Sequence, residues 1–155
     1  MAADRSADDL IRPVTAEEVR PLRHRVLRPS QAFEETAYAG DDLPDTVHVG
    51  AFDDDGRLVG VASLYREARG GGPAGGWRLR GMATDPDVRG AGFGAAVLDA
   101  CVAHAAAAGG DELWCNARMA AVGFYQRAGF EVVSDEFDVP GIGAHVVMAR
   151  AISRR

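Results

Sequence analysis

Three glycines stand at alternate positions in "DVRGAGFGAAVL", Asp87 to Leu98, where an apolar helical pattern begins. Glycine inside a helix costs roughly 1 kcal/mol relative to alanine, so this stretch calls for main chain bare of side chains. The first amides of a helix have no internal partners, and the helix dipole places partial positive charge there. An anion at the helix mouth satisfies both. Glycine at Gly90, Gly92 and Gly94 lets the backbone wrap a phosphate closely, and Arg89 adds a cationic rim. The alternative is a tight strand-to-helix turn whose glycines only allow close packing. On either account a strand leads into this loop and a helix leads out.

The flanking sequence agrees. Gly94, Val97, Leu98, Cys101, Val102 and Ala105 follow the spacing of one buried helical face, and Gly109-Gly110 end that helix after about Ala108. Upstream, "WRLRGMAT" (Trp77–Thr84) is predicted as a strand. "LIRPVT" (Leu10–Thr15) is a short strand, and Thr15 with Glu18 forms a capping-box pattern. A helix is expected from Ala16 to near Pro29, with Pro21 able to kink it. "SQAFEETAYAGDDLPDT" is a short helical turn plus a loop. Val47–Phe52 and Leu58–Tyr65 are paired strands around the Asp55-Gly56 turn, and "RGGGPAGG" is a surface loop. Glu112–Ala117 is a short buried strand, and "RMAAVGFYQRA" is a second helix closed by Gly129. "FEVVSDEFDVP" and "GAHVVMARAI" form a final strand pair joined through "GIG". The order β-α-β-β-β-α-β-α-β-β is an α+β or mixed α/β layout, a twisted central sheet flanked by helices. With 155 residues the chain suits a single domain over 1–155, residues 1–8 forming a flexible tail.

Composition narrows the chemistry. A net charge of -6 argues against nucleic acid as the main partner and favours a cationic one such as an amine. "MAADRSADDL" has no apolar core and no basic lead, unlike a secretory signal. No apolar run approaches the ~20 residues of a membrane helix. Cys101 and Cys115 form no close pair and are expected as reduced thiols of a cytoplasmic protein. His24, His48, His104 and His145 lack metal-ligand spacing, so no metal is expected.

The anion is not held by a Walker loop, because no Lys-[Ser/Thr] follows Gly94. "GAGFGA" does fit the G-x-G-x-x-A dinucleotide fingerprint. A dinucleotide fold needs that turn after its first strand, whereas here it follows an antiparallel meander past mid-chain. A dinucleotide-binding domain therefore stands as an alternative.

"VRGAGFG" has the form Arg/Gln-x-x-Gly-x-Gly/Ala, with Arg89, Gly92 and Gly94 in place. "LWCNARMAAVGFYQRAGFE" ends in Phe-Tyr-x-x-x-Gly-Phe, Phe124 to Phe130. In these motifs, and in element order over nearly its whole length, the sequence resembles the GNAT N-acetyltransferase superfamily. "RHRVLRP", "DDLPDTVH" and "FDVPGIGAHVVM" are similar to an uncharacterised branch of it. The resemblance implies acetyl-CoA as acyl donor. By it, the amides of Arg89, Gly90, Ala91, Gly92, Phe93, Gly94 and Ala95 hold the pyrophosphate. Met82, Ala83 and Thr84 run beside the pantetheine arm, and an amide near Met82 or Ala83 polarises the thioester carbonyl. Tyr125 matches the family's proton donor to the departing sulfur; alternatively it packs the helix with Phe124.

Other roles stay open. Asn116 either contacts cofactor or acceptor, or is a satisfied polar group at a strand end. His48 and His145 are candidate bases facing one acceptor pocket, or hydrogen-bonded structural residues. Glu34, Glu35, Asp42 and Asp45 bind a cationic acceptor, act through water, or form a solvated loop. Arg78 and Arg80 flank the cofactor or occupy the polar face of the sheet. Cys115 allows an acyl-cysteine route, although no histidine accompanies it locally, and Cys101 reads as core. The expected function is acetyl transfer from acetyl-CoA to a primary amine, on a small molecule or peptide, by direct attack in a ternary complex. The alternative from another class is a non-catalytic acyl-CoA-binding sensor module. The family's frequent dimerisation makes a homodimer a further expectation.

Overall fold

A computed structural model describes residues 10–152; the tail expected at 1–8 lies outside them. The described residues group into two compact units, one of residues up to Tyr65 with Gly81–Cys101, the other of Arg66–Arg80 with the chain from Val102.

In the first unit, β1 (Ile11–Val14) leads to α1 (Ala16–Leu22). The capping box forms as expected: Glu18 N donates to Thr15 Oγ1 at 3.1 Å, and Thr15 N to Glu18 Oε1 at 2.9 Å. The helix does not run on to Pro29. Pro21 has no amide to give the ladder, the α-helix stops at Leu22, and a π-helical turn occupies Arg23–Leu27. A 3-10 turn at Phe33–Thr36 supplies the short helical piece expected before β2 (Val47–Phe52). β2 pairs antiparallel with β1 and with β3 (Leu58–Tyr65), His48 lying opposite Ser63. Val19 and Leu22 of α1 bury against Val61 of β3 and Ala83 of β4 (Gly76–Thr84). The alternating pattern of the strands and the 3.6-residue pattern of the helix meet in this cluster.

β4 and the following helix, α2 (Phe93–Ala107), each run through both units. Val97, Leu98, Cys101 and Ala105 of α2 are at most 1% exposed, as the helical spacing predicts.

In the second unit, β5 (Glu112–Arg118) pairs in parallel with the start of β4, from Gly76–Glu112 to Arg78–Trp114, and the ladder stops there. β5 then pairs with β8 (Gly143–Ala151) along its whole length. The expected final strand pair is three strands. β6 (Glu131–Val132) and β7 (Phe137–Val139) both pair with β8. They are separate because Ser134 Oγ accepts the Val147 amide at 2.8 Å, which interrupts the ladder between them. The second helix is also shorter than predicted: a 3-10 turn takes Met119–Ala121, and α3 covers Val122–Arg127. All eight strands belong to one mixed sheet, in the order β1-β2-β3-β4-β5-β8-β6 with β7 on β8. Leu113 and Met148 are wholly buried in it. Leu113→Ala is expected to cost about 2–5 kcal/mol in urea unfolding.

Candidate active site

The loop between β4 and α2 begins at Asp85, which is 1% exposed. Its amide donates to the Val59 carbonyl at 2.8 Å. Its carboxylate accepts the Asp87 amide at 3.0 Å and Arg25 Nη2 at 3.1 Å. The Asp87 amide, with help from Arg25, holds this carboxyl below the usual range against the upward push of burial. A 3-10 turn at Pro86–Val88 follows. The Arg89 amide bonds the Pro86 carbonyl and the Ala91 amide that of Val88, so two of the seven amides expected to face an anion are engaged within the turn. Among the described residues, the amides of Gly90, Gly92, Phe93, Gly94 and Ala95 have no hydrogen-bond partner.

Gly90 and Gly92 have φ of +88° and +89°, and a Cβ at either would meet nothing within 4 Å. Glycine is needed there for its backbone conformation, not for want of room. Gly94 lies inside the first turn of α2. The loop thus ends in consecutive unpaired N–H groups at the start of a 15-residue helix, and Arg89 is exposed beside them. Met82, Ala83 and Thr84 end β4 just before Asp85, with Ala83 buried.

In the second unit, Tyr125 is 8% exposed on α3. Its ring meets Phe124 and Phe130 edge-on at 5.2 and 5.4 Å. Burial pushes the Cys115 thiol up to about 12, against the opposing pull of a hydrogen bond with Tyr125 and of the Arg78 charge. Cys115 is therefore a poor nucleophile, and the acyl-cysteine route loses its chemistry. Cys101, wholly buried, is pushed to about 12 by burial alone. Asn116 is exposed between buried Cys115 and Ala117, at the position of β5 paired with Val147.

The histidines differ. His145 is 5% exposed, stacks on Phe137 at 5.9 Å, and holds the Gly143 carbonyl through Nδ1 at 2.8 Å. A carbonyl only accepts, so Nδ1 carries a proton, and whenever the ring holds a single proton the lone pair is on Nε2. His48, 6% exposed, has both nitrogens engaged: Nε2 donates to the Asp41 carbonyl at 3.0 Å, and Nδ1 accepts from Ser63 Oγ at 2.6 Å. Glu34, Glu35, Asp42 and Asp45 are exposed, as a solvated loop would be. Arg78 bonds Glu67 at 3.3 Å and lies over the Trp114 ring.

Ser63 belongs to a buried polar cluster in the first unit. Arg23, wholly buried, donates to the Thr36 carbonyl at 2.8 Å and to both Asp41 carboxylate oxygens at 2.7 and 3.0 Å. It also donates to Ser63 Oγ at 2.8 Å and Tyr65 Oη at 3.1 Å. Burial pushes the Asp41 carboxyl up, but hydrogen bonds from Arg23, Tyr65 and the Tyr38 amide outweigh it, and the net shift is downward. An unfolded aspartate titrates near pH ~3.9. The stabilisation from Asp41, like that from Asp85, is therefore complete above about pH 4 and is lost as pH falls through the lower folded value. A steepening loss of urea midpoint below about pH 4 is expected, flattened in Asp85→Asn. An equal slope in the variant would refute the contribution of Asp85.

Comparison with known proteins bears on this geometry. A family model for the GNAT acetyltransferase domain matches residues 11–151. The chain belongs to the GNAT acetyltransferase family. This GNAT chain is 34% identical over 146 residues to the uncharacterized N-acetyltransferase YitI of Bacillus subtilis strain 168, covering 92% of the chain and 95% of YitI. Among solved structures it is similar to an aminoglycoside 6'-N-acetyltransferase complexed with coenzyme A, with TM-score 0.74, 15% identity, and coverage of 94% and 98%. It is also similar to the Escherichia coli ribosomal-protein-S18-alanine N-acetyltransferase, with TM-score 0.72, 18% identity, and 94% coverage of each chain. At such identities the likeness to these structures is one of fold. As a GNAT acetyltransferase the protein is an acyltransferase. Among the described residues no helix is long and apolar enough to cross a membrane.

Sequence reasoning about the GNAT site missed Asp85 and the Arg23 cluster. Asp85 had a signal: an Asp before a Pro at a strand end is turn chemistry. The cluster had none, since Arg23, Asp41 and the pair Ser63 and Tyr65 come from three separate segments of the chain.

Proposed function

We propose that this GNAT acetyltransferase moves an acetyl group from acetyl-CoA to a primary amine by direct attack in a ternary complex, within one domain comprising both units. The observation carrying the proposal is the run of unpartnered amides at Gly90 and Gly92–Ala95, at the positive end of α2. Such amides, with two left-handed glycines presenting bare backbone, fit a diphosphate. They would hold the pyrophosphate of coenzyme A, with Arg89 on the rim. Coenzyme A, which one structural neighbour carries, brings an acyl group already activated as a thioester.

The chain's own residues supply the rest. Main chain at Met82, Ala83 and Thr84 would align the pantetheine arm, and an amide there would polarise the thioester carbonyl. Tyr125 would give its proton to the leaving sulfur. Asn116, exposed on β5, would contact donor or acceptor. His145 suits the base better than His48: a neutral ring with Nδ1 donating keeps Nε2 as acceptor, whereas both nitrogens of His48 are engaged. The acceptor is a small-molecule or peptide amine, and no metal enters this chemistry.

Calorimetric titration with acetyl-CoA, followed by thiol release over a panel of primary amines, tests the proposal. Saturable binding and amine-dependent release are expected. Binding without release from any amine would favour a sensor module; competition by NAD but not by coenzyme A would favour a dinucleotide-binding domain. In Gly92→Val a β-branched residue must adopt φ near +89°, which costs of order 1–3 kcal/mol. Acetyl-CoA affinity is expected to fall at least about tenfold. An unaltered dissociation constant in that variant would remove the cradle from the mechanism.

A further inference from the structure

Gly81 stands inside β4 with φ of +64°. A left-handed residue bends a strand and re-aims the residues after it, so the course of Met82–Thr84 depends on Gly81. A side chain here is obstructed as well as strained: an added Cβ would lie 2.8 Å from Arg23 Nε and 3.3 Å from Tyr38 Cε2. The guanidinium is not free to give way. Its two terminal nitrogens are committed to Thr36, Asp41, Ser63 and Tyr65, and the Tyr38 ring lies over it with Cζ 4.0 Å from the centroid. Its Nε, wholly buried, has no hydrogen-bond partner among the described residues.

Stability does not account for an arginine in this place. A buried ion pair seldom outperforms well-packed apolar groups, and an unmade hydrogen bond at a charged donor is a net loss. What the arrangement does provide is a rigid plate against the bend. The π-helical turn that begins at Arg23 puts the side chain there, a type of irregularity frequent at functional sites.

We propose that Arg23 is a positioning residue for acyl transfer: clamped by Asp41 and Ser63, it holds the bend at Gly81 and so aims the Met82–Thr84 main chain at the thioester. The inference rests on the acetyl-CoA reading above. The pyrophosphate cradle starts at Gly90 and hangs from its own anchor at Asp85. Loosening the bend therefore disturbs acyl alignment and spares the grip on the diphosphate.

Three variants test this: Arg23→Lys, Ser63→Ala and Gly81→Ala. For each, calorimetry gives the dissociation constant of coenzyme A, and hydrogen exchange without ligand reports on the segment 80–84 and on Asp85. Turnover is measured with whichever panel amine the wild type acetylates fastest. Coenzyme A affinity is expected to stay within about twofold, while turnover falls at least about tenfold, as misplacement by an ångström commonly costs that much. Exchange over 80–84 is expected to quicken at least about tenfold with Asp85 and β8 unchanged, a local effect that a purely structural role would not confine. If Arg23→Lys does not fold, Ser63→Ala, which removes one acceptor from the clamp, and Gly81→Ala decide the matter. Folded variants with wild-type exchange and turnover would overturn the inference, as would a loss of coenzyme A affinity equal to the loss of turnover. An active wild type with unaffected variants sinks only the role of Arg23. A wild type that binds neither acetyl-CoA nor coenzyme A sinks the acyl-transfer reading and this inference together.

Discussion

Replacing Asp41 with alanine is expected to destabilise the protein by about 3–5 kcal/mol, the cost of stranding a buried charge. Arg23 has no solvent exposure, and both carboxylate oxygens of Asp41 accept from it. Alanine leaves the guanidinium with the Thr36 carbonyl, Ser63 Oγ and Tyr65 Oη as its remaining acceptors. It also deprives the Tyr38 amide and the Tyr65 hydroxyl of their acceptor. Net stabilities of folded domains are about 5–15 kcal/mol, so the loss is a large share. For a chain of this size it corresponds to a fall in Tm of roughly 10 °C. Urea and thermal unfolding at pH 7 measure it. A change below about 1 kcal/mol would mean that water reaches the guanidinium and that the cluster contributes little.

Tyr125→Phe is expected to lower turnover by about 10²-fold, the lower end of what a positioned general acid contributes. The phenyl ring keeps the contacts with Phe124 and Phe130, so packing is preserved. The lost hydroxyl leaves a thiol, a weak hydrogen-bonding group, and stability should change by less than about 1 kcal/mol. Affinity for acetyl-CoA should hold within about twofold, because the proposed function assigns it to the unpaired amides of the loop. The ratio of the two effects is the decisive quantity. Equal losses of affinity and turnover would make Tyr125 a packing residue, and an unchanged turnover would end its role as proton donor.

The fold was largely legible because most of its elements announce themselves locally. Thr15 and Glu18 are three residues apart and cap each other; Asp55-Gly56 turns where a tight hairpin needs left-handed glycine. Helix α2 buries the face that its spacing marks. Element bounds departed from expectation in several places. Ser134 reaches Val147 and divides what reads as one strand. Pro21 sits in a helical pattern that the backbone leaves for a π turn.

The order of residues alone was enough to reveal the family and the bare-backbone loop before α2, since glycines between a strand and a helix impose backbone shape at Gly90 and Gly92 locally. It could not decide which amides of the loop remain unpaired, because the Pro86 and Val88 carbonyls claim two of them only once the 3-10 turn has formed. Nor could it assign His48, whose two ring partners come from Asp41 and Ser63. The same holds for Arg23 and Gly81, fifty-eight residues apart in the chain and brought within contact distance by folding. Local shape is encoded in neighbours. The pairing of buried charge with its counter-charge, and with the backbone it braces, arises only when the segments are packed together.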